Sequence, residues 1–290
     1  MTFRKGIKEL IKGLLPPLLY NWLAYRSSFK GFSEYAPLLS ANKQLKDIHK
    51  GKRCFILGSG PSIKNDDLQG LKGEIVFALN NFYVHKDFKE IVKGDTAKYY
   101  LTAATHPPQT EEEWKDWFTD MEKNIPLHVN MIFGLSAYKG NIYHLFGKYG
   151  LFKSHKKYWY FASRPFNDDK FDYKGTDITR SIFTAEAASV FALIVAIYMG
   201  FEEIYLVGMD HDYFLYENES EMRMYKKALH QNNEFAKIFK DEFYIEEFNR
   251  QYKIFKKYRA LDMHSASKIY NASSGGILKV FPRVKLSEVL

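Results

Sequence analysis

Two short segments of this chain carry residue types that can do chemistry. The first is Gly58-Ser-Gly-Pro-Ser62, which directly follows the apolar run Arg53-Cys-Phe-Ile-Leu-Gly58. A glycine turn leaving a buried strand lets backbone N–H groups come close to an anion. Gly58, Ser59 and Gly60 are therefore expected to approach a phosphate, with Pro61 and Ser62 completing the turn. A dinucleotide site would need a third glycine at position 63 and an acid after the next strand, where this chain has Ile63 and Asn80-Asn81. No glycine precedes a Lys-Ser or Lys-Thr pair, which excludes a P-loop. A mononucleotide fits these residues better than NAD.

The second segment is Asp210-His-Asp212, after the run Glu203-Ile-Tyr-Leu-Val-Gly208. Open α/β sheets bind ligands at the carboxyl ends of their strands. There His211 could carry a proton between substrate groups, or could be a hydrogen-bonded loop residue. Asp210 and Asp212 could hold Mg²⁺ or Mn²⁺ beneath a diphosphate. Tyr213 and Tyr216 could donate hydroxyls to a phosphate, or could pack. His230, inside a charged helical stretch, is the alternative base, and His264 stays open. The other six histidines lack metal-ligand spacing and read as surface or satisfied polar groups. A Gly-x-Ser-x-Gly elbow is missing, so a Ser-His-Asp hydrolase is not indicated.

These segments need a scaffold, and the hydrophobic pattern supplies one. The run at 53–58, the run Glu74-Ile-Val-Phe-Ala-Leu79 and the run Lys98-Tyr-Tyr-Leu-Thr102 read as buried strands, with a short helix over 63–71. Glu111-Glu-Glu-Trp114 opens an acidic-capped helix, Thr184 to Gly200 reads as a long helix and 203–208 as the strand after it. Two amphipathic helices fit 218–259, and Lys268-Ile-Tyr-Asn271 is a last strand. Residues 104–178 show no clear pattern. The expected fold is α/β: a Rossmann-like, mostly parallel sheet flanked by helices, with an N-terminal amphipathic helix and a helical lid over 218–262.

Length and composition agree. The 290 residues, 46% apolar and 26% charged, suit a folded domain, and a single cysteine, Cys54, rules out an internal disulfide. The net charge of +8 favours acidic partners. Basic residues at 223–259 are interspersed with acids, a solvated helical face and not a nucleic-acid stripe. The apolar run 187–201 is shorter than the ~20 residues a bilayer requires. Residues 1–30 carry six Lys or Arg against Glu9, with Ile7, Leu10, Ile11, Leu14 and Leu15 on one helical face. Such a segment is built for an anionic membrane surface, or for docking on the protein's own core or on a second subunit. The division is thus 1–48 as membrane-associating segment and linker, and 49–290 as catalytic domain.

Phe55-Ile-Leu-Gly-Ser-Gly-Pro-Ser-Ile63, Val76-Phe-Ala-Leu-Asn-Asn-Phe-Tyr83 and Met199-Gly-Phe-Glu-Glu-Ile-Tyr-Leu-Val-Gly-Met-Asp210 together resemble two related groups. One is the bacterial CMP-sialic acid-dependent sialyltransferases acting on lipooligosaccharide. The other is the MptE-like superfamily, with the archaeal hydroxymethylpterin pyrophosphokinase and the motility-accessory flagellin glycosylation proteins. The resemblance implies that 58–62 holds ribose and phosphate, that Asn80 contacts the nucleotide, and that Asn81 approaches the donor sugar. It implies that Tyr213 and Tyr216 stabilise the departing phosphate. Thr102 and Ser189 stand where the sialyltransferases carry an Asn and a Thr-Ser-Gly motif. The expectation is a metal-independent glycosyltransferase that moves a sugar from a nucleotide-sugar donor, a CMP-activated nonulosonate, to a glycan or glycolipid acceptor. It would be cytoplasmic and peripheral on the inner face of a bacterial membrane. The alternatives are an ATP- and Mg²⁺-dependent pyrophosphokinase and a non-enzymatic binding protein.

Overall fold

A computed structural model describes residues 31–136, 140–167, 170–216, 221–225 and 243–290, with single positions at 16, 19 and 26. The basic segment 1–30, most of the first lid helix and His230 thus lie outside the described residues. Eight parallel strands form one sheet: β1 (Arg53–Leu57), β2 (Val76–Leu79), β3 (Lys98–Thr102), β4 (Asn130–Leu135), β5 (Lys157–Arg164), β6 (Ser181–Phe183), β7 (Glu203–Val207) and β8 (Lys268–Asn271). The helices are α1 (Phe32–Ser40), α2 (Phe88–Val92), α3 (Glu111–Asn124), α4 (Ile142–Tyr149), α5 (Ala188–Tyr198), α6 (Phe243–His264) and α7 (Leu286–Val289). This is the α/β, Rossmann-like architecture the apolar runs predict.

The strands are apolar on both faces because both are covered. Phe55, Leu57, Val76, Tyr100 and Phe133 face α1 to α4, whereas Cys54, Ile56, Phe77, Leu101 and Ile132 face α5 and α6. Helix α5 is buried from Ala188 through Ala196 because it runs between the sheet and α6. Helix α3 starts at a capping box, in which Thr110 accepts from the Glu113 amide while Glu113 accepts from the Thr110 amide.

Three expectations change. The span 63–71 forms two 3₁₀ turns, Pro61–Asn65 and Gln69–Gly73, and no continuous helix. Asp67 Oδ1 accepts from the Gln69 amide at 3.0 Å and so diverts the backbone between them. Residues 104–178 hold β4, β5 and α4. Residues 32–45, read as linker, pack on the sheet, with Tyr35, Leu39 and Leu45 buried and Asn42 donating to the Trp159 and Ile178 carbonyls. Residues 32–45 are therefore part of the folded body and not a linker to it.

The strand order β6-β5-β4-β3-β2-β1-β7-β8 places the site. From β1 the chain steps outward strand by strand to β6; α5 then carries it back so that β7 pairs on the other side of β1. The strand order reverses between β1 and β7, and a crevice opens at the carboxyl ends of that pair.

Candidate functional site

The crevice is lined by the loops after β1, β2, β3 and β7, by the start of α5 and by one face of α6. The two functional segments read from the sequence meet here and bind each other. Gly58 and Gly60 donate their amides to the Val207 and Gly208 carbonyls at 2.8 and 2.9 Å. Asp210 accepts from the Ser62 amide at 2.8 Å and from the Ser62 hydroxyl at 2.5 Å. The amides of Gly58, Gly60 and Ser62 are thus satisfied within the protein. The bare glycines serve the β1–β7 junction: a Cβ on Gly60 would lie 2.5 Å from the Asp210 carboxylate, and one on Gly58 would lie 2.6 Å from the Gly208 carbonyl. Ser59 and the two glycines line the cleft, whereas Pro61 and Ser62 sit behind it. Behind Asp210 the loop after β8 closes in, with the Ile277 amide on the Asp210 carbonyl at 2.8 Å and Arg283 donating to the Ser273 and Gly275 carbonyls.

Positive charge comes from elsewhere. Arg223 and Arg250 both line the cleft, their guanidinium carbons 5.3 and 5.7 Å from the centre of the Tyr213 ring. Burial pushes the Tyr213 phenol up, and the two arginines pull it back. Arg250 is aimed by a two-pronged pair with Glu247, both contacts 2.8 Å. Ala187, Ala188 and Ser189 bring the amino end of α5, which has no side-chain cap, to the same wall. An anion at this place would meet two guanidiniums and the positive end of a helix.

His211, in the loop after β7, and Asn80, directly after β2, have left-handed backbone, with φ of 57° and 48°. Non-glycine residues held there mark over-determined positions, often functional ones. Both line the cleft. The His211 ring is buried beneath α6, Nδ1 at 2.8 Å from Gln251 Oε1 and Nε2 at 3.1 Å from the Tyr258 hydroxyl. Burial pushes its pKa down to about 4, Gln251 and Glu247 opposing and Arg250 assisting.

That shift has a stability consequence. The folded protein keeps His211 neutral where the unfolded chain, near 6.5, takes up a proton. Stability is therefore present above about pH 6.5 and declines as pH falls toward 4. The loss between pH 7 and 5 should be about 2 kcal/mol from His211. Buried His49, also pushed down to about 4, adds to it, while Asp212 and Asp66, whose carboxyls are raised by burial, oppose it. Urea midpoints at the two pH values should differ less in His211→Gln than in wild type. Equal differences would assign the acid sensitivity to other groups.

The remaining expected residues are placed as follows. Tyr213 is in the cleft, but Tyr216 donates to Asp212 Oδ2 at 3.1 Å and stands outside the lining. Asn81 is buried, accepting from Trp117 Nε1 at 2.6 Å and donating to the Tyr225 hydroxyl at 2.8 Å, so its amide is turned toward α3. Thr102 is buried behind Ala103, which takes its place in the lining. Asp210 and Asp212 are both buried, each bonded to a neighbouring hydroxyl, and no group of three or more metal-ligating side chains exists among the described residues. His264 lies at the far end of α6, stacked on Phe171. Arg223, Arg250, Gln251, Glu186 and His106 line the cleft without having been singled out. The available signal was the spacing Glu247, Gln251, Ile254, Tyr258, which puts four residues on one helical face.

Among the described residues no helix is long and apolar enough to cross a membrane. No protein-family model matches this chain, and no curated protein matches it.

Proposed function

We propose that the cleft binds the nucleotide of an activated sugar and that the protein is a glycosyltransferase, sialyltransferase-like in its use of a CMP-linked donor. The observation that carries this reading is the anion receptor at the switch point: Arg223, Arg250 and the amino end of α5 converge beside Asn80 and Tyr213. Such a set suits one phosphate, the charge a CMP-sugar presents. Asp210, whose two carboxylate oxygens accept from the Ser62 amide and hydroxyl, serves the scaffold, which favours a donor whose phosphate is neutralised by arginines over one that relies on a carboxylate-held metal. Tyr213, whose ring lies near both guanidiniums, is in this reading the donor to the departing phosphate. The acceptor class, a surface glycan or glycolipid, follows from the sequence resemblance and from the basic amphipathic segment at 1–30.

Thermal denaturation in the presence of CMP, UDP, GDP and ATP, each with and without Mg²⁺, tests it. CMP at a hundredfold excess over its Kd should stabilise by about 2.7 kcal/mol, roughly 4–5 °C, with no requirement for metal. A shift seen only with ATP and Mg²⁺ would replace this reading with diphosphate transfer, and no shift with any nucleotide would sink it.

A further inference from the structure

His211 cannot touch a substrate directly, because both ring nitrogens are engaged inside the protein. Its partners form a chain with a defined direction. Glu247 Oε1 accepts from Gln251 Nε2 at 2.6 Å, which fixes the Gln251 amide and turns its oxygen to the imidazole. Nδ1 must therefore carry a proton. Beyond Nε2 stands the Tyr258 hydroxyl, 3.1 Å away and 2.5 Å from Ser189 Oγ. Tyr258 has one proton and two partners. Tyr258 donates to Ser189 in the structure; turning that hydroxyl to Nε2 of a neutral His211 leaves Ser189 to donate to Tyr258, and with His211 protonated Nε2–H donates to Tyr258. Tyr258 and Ser189 are buried, and Ser189 lies in the cleft wall at the start of α5, beside the anion receptor.

We propose that Ser189 is the proton-transferring residue of the cleft and that Tyr258 and His211 form a reversible relay behind it, aligned by Gln251 and Glu247. The inference rests on the transferase reading for its substrate, not for its existence. The acceptor hydroxyl gives its proton to Ser189 Oγ as Ser189 passes its own to Tyr258 and Tyr258 passes its own to His211 Nε2. The freed acceptor oxygen bonds to the anomeric carbon. The bond from that carbon to the phosphate oxygen breaks, its electron pair leaving with the nucleotide, and the proton stays on His211 until solvent takes it. Around the ring, α6 contributes Glu247, which favours the imidazolium, and Arg250, which opposes it. The His211 loop adds Asp210, Asp212 and Tyr213, and Arg223 lines the same cleft.

Two measurements on the full chain test this. In ¹⁵N-histidine-labelled protein without ligand, the signal lost in His211→Gln should report a neutral Nδ1–H tautomer at pH 7. An Nε2–H tautomer or an imidazolium at pH 7 would overturn the relay whether or not nucleotides bind. In CMP-sialate turnover, Tyr258→Phe should lower kcat more than tenfold, leave KM within twofold and abolish the acidic limb of the pH profile. Ser189→Ala should do the same, while Ser189→Thr, which keeps the hydroxyl, restores most of the rate. Wild-type kcat and pH profile in Tyr258→Phe would overturn it. Should CMP-sialate neither bind nor turn over, the proposed function falls, and the tautomer alone decides the relay.

Discussion

Gly60→Ala is expected to lower the melting temperature by roughly 3–5 °C, the equivalent of about 2–3 kcal/mol for forcing a methyl group into packed structure. The added carbon would sit 2.5 Å from the Asp210 carboxylate and 2.7 Å from the Gly208 carbonyl. Neither can retreat easily, since Asp210 is held by Ser62 in front and its carbonyl by Ile277 behind. Gly73→Ala is the control: a Cβ there meets nothing within 4 Å, so its melting temperature should match wild type or rise slightly. Should Gly60→Ala melt with wild type yet lose nucleotide binding, the glycine would serve the ligand and not the strand junction.

Arg223→Ala is expected to weaken CMP binding ten- to hundredfold, the range for a hydrogen bond to a charged group at about 1.5–3 kcal/mol. Its guanidinium shares the Tyr213 ring with Arg250 but lies on a different segment of the chain. Arg250→Ala should weaken binding too, but it also strips buried Glu247 of its ion-pair partner, so it should destabilise the fold as well. Calorimetric titration with CMP, alongside thermal melts, reads both: lower affinity for each variant, with the larger loss of melting temperature for Arg250→Ala. Unaltered affinity in Arg223→Ala would move the phosphate elsewhere in the cleft.

The strands that build the crevice were legible because they are short, mostly apolar runs, three of them followed by glycine or asparagine. β1, β2, β3 and β7 are each buried along nearly their whole length, and such strands announce themselves. β5 did not, because Lys157-Tyr-Trp-Tyr-Phe-Ala-Ser-Arg164 mixes charges and aromatics with neither the period of a helix nor that of a half-exposed strand. The Lys157 ammonium escapes along the chain to backbone carbonyls, and Arg164 turns to Asp172, so the charges are accommodated by partners no local pattern reveals. The site divides in the same way. Gly58, Gly60, Asp210 and His211 lie next to strands and could be picked out. Arg223, Arg250, Gln251 and Tyr258 lie in a stretch whose charge reads as solvated surface, and for the last three only the packing of α6 against α5 and the turn after β7 brings one face inward. Even the legible residues carried a second meaning: Gly60 looks like a phosphate turn, yet it is bare to admit a carboxylate from the same chain.

The loop after β8 bears on the order in which the crevice can take shape. The Asp210 carbonyl is tied by the Ile277 amide, and that loop is in turn held by Arg283. The brace on His211's neighbour is thus a contact between segments far apart in sequence, which costs loop-closure entropy before it gives anything back. β1 and β7 can pair without it, but Asp210 is fixed only once the segment after β8 has docked. Folding of the sheet and setting of the crevice are therefore separable events.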